Sequence, residues 1–507
     1  MSQERSKAIV EGTNRAQELL AAGDHEAACL ELNKLVSLDP ANTALRAVLA
    51  SVLTGMDRID DAILHLKQVV WHQPSDAATH NSLGHLFSRK GRSDLAIDEF
   101  RQAVKHKPSS IEYRANMALE LSKAGFDTEA ECVYRDALRL GNTAHLSFNY
   151  GAFLGQRRRL NEAIVHYTRA IGFEPFHVFA HFNRAISHLL LGEYEAGWSD
   201  YEWRFKYFEM IGQKRPDFGL PYWYGESPKG KKILVYSEQG VGDLFQFVRW
   251  THDLRERGAY VVLYCPLETA TLFMNYPDVD AVVTREEDFP KDLDYHVSVM
   301  SLPYYFGMKG SDCVDCSPYL FPSPVNIDYD WSKFDNKLKV GICWAGGKAA
   351  RTDSVRSTYL YNFKSLLKRP DIQLFSLQKD RSTRRWGDRN VDLGNCFDYM
   401  PIEDLAPHMV DFNHTANLIQ KLDLVITVDT SVAHLAGAMR RPTWVLLPHT
   451  PDFRWRLNGN TTPWYGCMSL FRQNKPGDWG PVFDKVVQAL NGETEVEEFF
   501  DQMPAIR

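Results

Sequence analysis

The sequence predicts two architectures in succession: an all-α array of repeated helix pairs, then an α/β body of two doubly wound lobes. Three observations predict this. Prolines at 40, 74 and 108 recur every 34 residues, and small and aromatic residues recur in step with them. From Lys232 onward, short runs rich in Val, Ile and Tyr alternate with helix-length segments, the pattern of a parallel sheet. One stretch, Leu422–Met439, compresses strand, tight polar turn and helix into LDLVITVDTSVAHLAGAM. The boundaries expected from these patterns are 1–205 for the array, 206–230 for a junction, 231–330 for a first lobe and 331–495 for a second.

In the array, the third copy is the clearest: Gly84, Gly91, Ala96, Phe100, Ala103 and Pro108. The fifth matches it with Gly151, Arg158, Ala163, Tyr167, Ala170 and Pro175, and the fourth with Ala118, Gly125, Ala130, Tyr134 and Ala137. Small residues let paired helices approach, the aromatic fills the groove between them, and the proline closes the unit. A 34-residue period with these positions is the tetratricopeptide signature. About five copies are expected, with a degenerate sixth at Ala185, Gly192, Gly197 and Tyr201. Such pairs stack into a superhelix whose concave face binds peptides or protein segments; a spacer or a dimerisation surface is the alternative.

Residues 206–230 carry Pro216, Pro221, Pro228 and four glycines, a density of breakers that marks a junction. The aromatics Trp203, Tyr207, Phe208, Tyr222, Trp223 and Tyr224 are too many for a solvated linker and predict packing onto the next domain.

Strands are expected at Lys232–Glu238, YVVLYC, AVV and YHVSVM, then, after a Pro- and Ser-rich segment at Ser317–Asp330, at KVGICWAGG, IQLFSLQ, Leu422–Val428 and TWVLLP. Helices are expected after Gly240-Val-Gly-Asp243, near Leu267–Tyr276, Tyr361–Leu367 and Thr415–Lys421, and after Asp429. Ligands of doubly wound sheets bind at the carboxyl ends of the strands. In GVGD the glycines allow close backbone approach, and Asp243 starts a helix. The turn Asp429-Thr430-Ser431 caps a second helix whose stripe is Val432, Leu435, Ala436 and Met439. His434 lies off that stripe. A helix N-terminus there suits a phosphate; the plainer alternative is an ordinary capped strand–helix unit with a surface histidine. Basic residues follow strand ends in the second lobe: Lys348, Arg351 and Arg356, then Lys379, Arg381, Arg384 and Arg385. They are suited to neutralise a diphosphate without a metal.

The net charge of −7 argues against a general nucleic-acid or anionic-membrane binder. No apolar run reaches membrane-span length, and the N-terminus lacks a secretory core. Eight cysteines without a dense framework fit reduced thiols in a cytoplasm. Cys313-Val-Asp-Cys316 is a lone pair with no second ligand pair for zinc. GxSxG, HExxH and GxxxxGK[ST] are absent, and GVGD lacks the third glycine of a dinucleotide fingerprint.

SEQGVGDLFQFVRW, FSLQKD, DFNHTANLI, LDLVITVDTSVAHLAGA, PTWVLLPHTPDFRWRL and TPWYGCMSLFRQ occur in that order. Together with the repeats, from about residue 20 to 490, they resemble the bacterial tetratricopeptide-repeat glycosyltransferases, whose catalytic half is related to the lipopolysaccharide heptosyltransferases and has the GT-B fold. The resemblance implies sugar transfer from a nucleotide-sugar donor, with the nucleotide in the second lobe and the acceptor against the first. By position, Asp243 in the Gly240–Gly242 turn matches the proposed base. Asp429, Thr430, Ser431, Val432 and His434 match the donor-phosphate loop. Gln378 and Lys379 match donor-holding residues of the more distantly similar O-linked N-acetylglucosamine transferases. Where heptosyltransferases have Gly-Pro after the Asp-Thr pair, this chain has Ser431-Val432, which puts heptose as the sugar in doubt. The chemistry to be served is departure of a nucleotide from an oxocarbenium-like centre. One carboxylate takes the acceptor proton, and no second carboxylate is evident in the sequence for a covalent intermediate. The expectation is an inverting, metal-independent transferase, with no cofactor beyond its nucleotide sugar, that acts on a protein recruited by the repeats. A glycan or lipid acceptor, or a non-catalytic scaffold, are the alternatives.

Overall fold

The computed structural model describes residues 2–308, 317–347, 353–379 and 401–492. The expected features at Cys313 and Cys316, and at Lys348, Arg351, Arg381, Arg384 and Arg385, lie outside these. The chain forms two compact units, residues 1–180 and 181–507.

The first unit is the repeat array. Its described residues form five helix pairs: Ser2–Ala21 with His25–Leu38, Thr43–Gly55 with Ile59–His72, Ala77–Arg89 with Ser93–His106, Ile111–Lys123 with Asp127–Leu140, and Ala144–Gln156 with Leu160–Phe173. The period is written twice in the local chemistry. Two residues after each of Pro40, Pro74 and Pro108 stands a residue whose side chain caps the next helix, Asn42, Asp76 and Ser110, each accepting a first-turn N–H. Such a cap stabilises a helix by about 1 kcal/mol. The small residues then set the spacing within a pair: a Cβ on Gly84 would lie 2.6 Å from the Phe100 ring, and one on Gly151 2.8 Å from Tyr167. One apolar core runs from Ala16 to Tyr167. Beside it a polar row crosses successive repeats: Asn116 Nδ2 donates to Asn81 Oδ1 at 2.9 Å, and His145 Nε2 lies 3.4 Å from Asn116 Oδ1 and 3.0 Å from Asn149 Nδ2.

The second unit begins earlier than the expected boundary at residue 205. Helices Tyr194–Tyr201 and Arg204–Met210 belong to it. Trp198, 1% exposed, meets Phe247, Phe453 and Trp464 edge-on at 5.6, 5.8 and 6.4 Å. Burying a tryptophan among aromatic rings outweighs its place in a degenerate sixth repeat. The junction aromatics are packed as well: Tyr222 bridges His296 at the edge of the first sheet, and the Trp223 N–H donates to the His296 carbonyl.

Two parallel sheets follow. Strands β1 (Lys232–Tyr236), β2 (Tyr260–Tyr264), β3 (Ala281–Val283) and β4 (Tyr295–Ser298) form the first, in the order β3-β2-β1-β4. The second contains β5 (Leu338–Cys343), β6 (Ile372–Ser376), β7 (Ile402–Asp404), β8 (Leu424–Val428), β9 (Thr443–Leu447) and β10 (Met468–Arg472), ordered β10-β9-β8-β5-β6-β7. Every pairing is parallel, and β8, buried at all five residues, lies at the centre, as its apolar run requires. Strands β7 and β10 and helix Gly480–Leu490 were not legible as elements. The helix expected at Thr415–Lys421 spans Phe412–Ile419, because Asp411 accepts from the His414 N–H and caps it there. The linker ties the lobes together. The Tyr319 hydroxyl donates to the Phe245 carbonyl of the first lobe, while its backbone N–H donates to Ala438 of the second. Among the described residues no helix is long and apolar enough to cross a membrane.

Candidate functional site

A cleft of about 1090 Å³ opens between the two sheets of the second unit. Its lining comes from the carboxyl ends of strands in both: Gln239–Asp243 after β1, Cys343 and Ala345–Gly347 after β5, Leu377–Lys379 after β6, Asp429–Val432 and His434 after β8, and Asp452 and Arg454 after β9. All ten expected site residues, Gly240, Gly242, Asp243, Gln378, Lys379, Asp429, Thr430, Ser431, Val432 and His434, line this one cleft.

Asp243 does not start its helix, as expected, but sits in the first turn of Val241–Phe247, where its Oδ2 accepts from the Gly240 N–H at 2.7 Å. Its Oδ1 pairs with Arg454 of the other lobe. The side chain keeps 15% of its surface exposed. A carboxylate has about four acceptor positions, so two bonds leave room for a substrate hydroxyl. Burial is the largest influence on Asp243 and holds its carboxyl above the ordinary range, although Arg454 and His434 pull it down. Arg454, not singled out from the sequence, is 7% exposed. It also bonds Asp452 at 2.6 Å and Gln246 at 2.8 Å, so its charge is compensated and it holds Asp243 from the opposite side. It stands in the block PHTPDFRWRL just past β9, a strand-end position that was the available signal.

On the second lobe, helix Ser431–Ala438 begins at Thr430, in extended backbone, with no side-chain cap. Three residues able to cap were expected to do so, but the Thr430 hydroxyl lies 2.9 Å from that of Thr427 instead. The open N-terminal turn, Ser431 and Val432, therefore lines the cleft. His434 is buried, with Nδ1 3.0 Å from the Tyr465 hydroxyl and its ring stacked on Trp455. It is a packed core histidine with one face to the cleft, not a surface one. Its Nε2 lies 3.8 Å from Asp429. Burial works against the charged form of Asp429, but His434, Arg356 and Arg454 outweigh it and hold that carboxyl below its usual range.

Two expected site residues also have structural partners. Gly242, expected to let a ligand approach closely, lines the cleft, and a Cβ there would lie 2.8 Å from His434 and 3.4 Å from the Ser431 backbone. The glycine lets the two helix N-termini meet across the cleft. Gln378, expected to hold the sugar donor, lines the cleft, and its Oε1 accepts from the Trp344 and Ala345 N–H groups at 3.2 and 3.0 Å while its Nε2 donates to the Ala345 carbonyl at 3.0 Å. Its amide braces the β5 end. Lys379 faces the cleft with one donor on the Val410 carbonyl at 3.1 Å, and Arg356 lines it nearby. Further carboxylates, not foreseen, also line it: Glu268, Asp411 and Asp452. Asp411 is taken up by Thr271 and His414, and Asp452 by Arg454. Among the described residues, no group of three His, Cys, Asp or Glu side chains is arranged to hold a metal ion.

Comparison with known proteins agrees with both halves of this architecture. Residues 19–86 and 77–110 match tetratricopeptide repeat models, and residues 372–466 match the model of glycosyltransferase family 9 (heptosyltransferase). The chain thus carries tetratricopeptide repeats and, in its second half, a domain of a glycosyl-transferring family. Protein FlbA of Caulobacter vibrioides is 25% identical over 343 residues, 61% of this chain and 54% of FlbA, so the match spans about half the length of that relative. Among solved structures, a tetratricopeptide repeat protein from Parabacteroides merdae is 14% identical over 42% of this chain and 82% of its own, with a TM-score of 0.36. PilF of Pseudomonas aeruginosa is 16% identical over 41% of this chain and 94% of its own, with a TM-score of 0.35.

Proposed function

We propose that the protein transfers a sugar from a nucleotide-sugar donor to a hydroxyl of a protein recruited by the repeats, in the cytoplasm, with inversion and without a divalent metal. The observation that carries this reading is the opposition inside one cleft. Asp243, held above the ordinary carboxylate range, shares the cleft with an uncapped helix N-terminus, and Lys379 and Arg356 line the same cleft. The donor's phosphates take the second-lobe wall. N–H groups at a helix start, with a lysine and an arginine, stabilise the charge that grows on the departing nucleotide. Asp243 accepts the acceptor proton as the new bond forms, and a carboxyl of raised pKa is the stronger base for it. Arg454 fixes that carboxylate and remains charged. A single displacement from the first-lobe side inverts the anomeric centre. The repeats supply binding energy remote from the reacting hydroxyl. The five free thiols among the described residues fit a reducing compartment.

The test is incubation of the full-length protein with a panel of nucleotide sugars, read by release of free nucleotide. Release from one sugar is expected, and it persists in excess chelator. No release from any of them contradicts the proposal and favours the scaffold alternative.

A further inference from the structure

The cleft has a third contributor that the base and the phosphate wall leave unexplained. Phe208 and Gln213 line it, and both come from the helical segment between the repeats and β1. That segment is fastened to the Asp243 turn. The Arg204 side chain is 0% exposed and forks onto both carboxylate oxygens of Glu238 at 2.9 Å each, with Ser301 at 2.7 Å and Glu202 at 2.6 Å. Glu238 opens the turn that ends at Asp243. The next residue, Gln239, holds a left-handed φ of 62°, a conformation that non-glycine residues rarely adopt. Its amide donates to the Tyr201 hydroxyl at 3.1 Å. Phe208 and Gln213 are also held to each other, because the Gln213 N–H donates to the Phe208 carbonyl at 2.8 Å around a left-handed Gly212. Behind Phe208, Tyr207 stacks on Phe182 at 4.2 Å. The half-buried ring is thus set on a rigid base with its free surface toward the cleft.

Among the described residues, the cation beside Asp243 is Arg454, already engaged by Asp243 and Asp452, and Phe208, Gln213, Gln239 and Glu268 add none. A phosphate gains little there. An aromatic ring beside side-chain amides suits a neutral extended chain: the ring packs on an apolar side chain, and the amide pairs with backbone N–H and C=O. We infer that Phe208 and Gln213 form an acceptor subsite that takes a polypeptide segment and sets which hydroxyl reaches Asp243. This rests on the transferase reading above and names the residues that select its acceptor.

The experiment uses the full-length protein, the nucleotide sugar identified by release, and a synthetic library of short serine- and threonine-containing peptides. Phe208→Ala is expected to raise the peptide KM about tenfold with a smaller change in kcat, the size of one lost aromatic contact. Phe208→Tyr restores the wild-type KM, and calorimetric affinity for the free nucleotide stays at the wild-type value in both. If Phe208→Ala fails to fold, Gln213→Ala, in an exposed turn, carries the same test. Wild-type KM in both alanine variants overturns the assignment, and so does a parallel loss of nucleotide affinity, which would place the nucleotide on this wall. A wild-type protein that releases nucleotide and glycosylates oligosaccharides but no peptide overturns the polypeptide assignment while leaving the transferase standing. Failure to release nucleotide from any sugar overturns the transferase reading itself.

Discussion

The two walls of the cleft are built from the same kind of unit, a strand end followed by a helix, and differ in what they leave open. After β1 the helix start is closed: the Asp243 carboxylate bonds the Gly240 N–H and Arg454 holds its other oxygen. After β8 the helix start is open, because Thr430 turns its hydroxyl toward Thr427. Closing a helix start with a carboxylate makes a positioned anion, and leaving one open makes an anion receptor. On the proposed reading, one fold motif, used twice, supplies a proton acceptor on one side and a phosphate seat on the other.

The sharpest way to break this comparison is at the closed wall. Asp243→Asn keeps the shape and removes basicity, and turnover is expected to fall by about 10²–10⁴, with nucleotide affinity unchanged by calorimetry. Near-normal turnover would mean that the base is elsewhere. Next in size is Arg454→Met. It leaves Asp243 buried without its cation and is expected to cost roughly 3–5 kcal/mol in urea unfolding. The sign of the pH effect is fixed as well. Arg454 lowers the Asp243 pKa, so its removal moves the acid limb of the rate profile to higher pH. A limb that moves down or stays put contradicts the pairing.

At the open wall, Lys379→Ala combined with Ser431→Ala is expected to weaken nucleotide binding about tenfold, the scale of one charge-assisted hydrogen bond. Thr430→Val is the smallest effect, under about threefold, because that hydroxyl already has a partner in Thr427. If Thr430→Val weakens binding more than the Lys379 and Ser431 pair of changes, the phosphate is held by the threonine hydroxyl and not by the helix start.

The open wall was the more legible of the two. LDLVITVDTSVAHLAGAM declares strand, turn and helix by local pattern, and the repeats declare themselves by period. What local pattern does not carry is the partner of a side chain far along the chain. Arg454 meets Asp243 across 211 residues, and Arg204 meets Glu238 across 34, in a segment whose Trp198 packs on Phe247. Gln378 and Gly242 line the cleft, and each also has a packing role that the sequence does not announce. An amide that braces two backbone N–H groups and a glycine that admits a histidine ring look, in sequence, like residues awaiting a ligand. Phe208 and Gln213 lay in a stretch of breakers whose composition marked a junction and gave no hint of a lining.

The central claim is the division of labour between the walls, and hydrogen–deuterium exchange tests it most directly. The full-length protein is compared with and without the nucleoside diphosphate or monophosphate of the sugar it consumes. The account predicts slowed exchange at the amides of residues 430–434 and 377–379, with residues 240–243 little changed. Protection confined to residues 238–247, with none at 430–434, would contradict it.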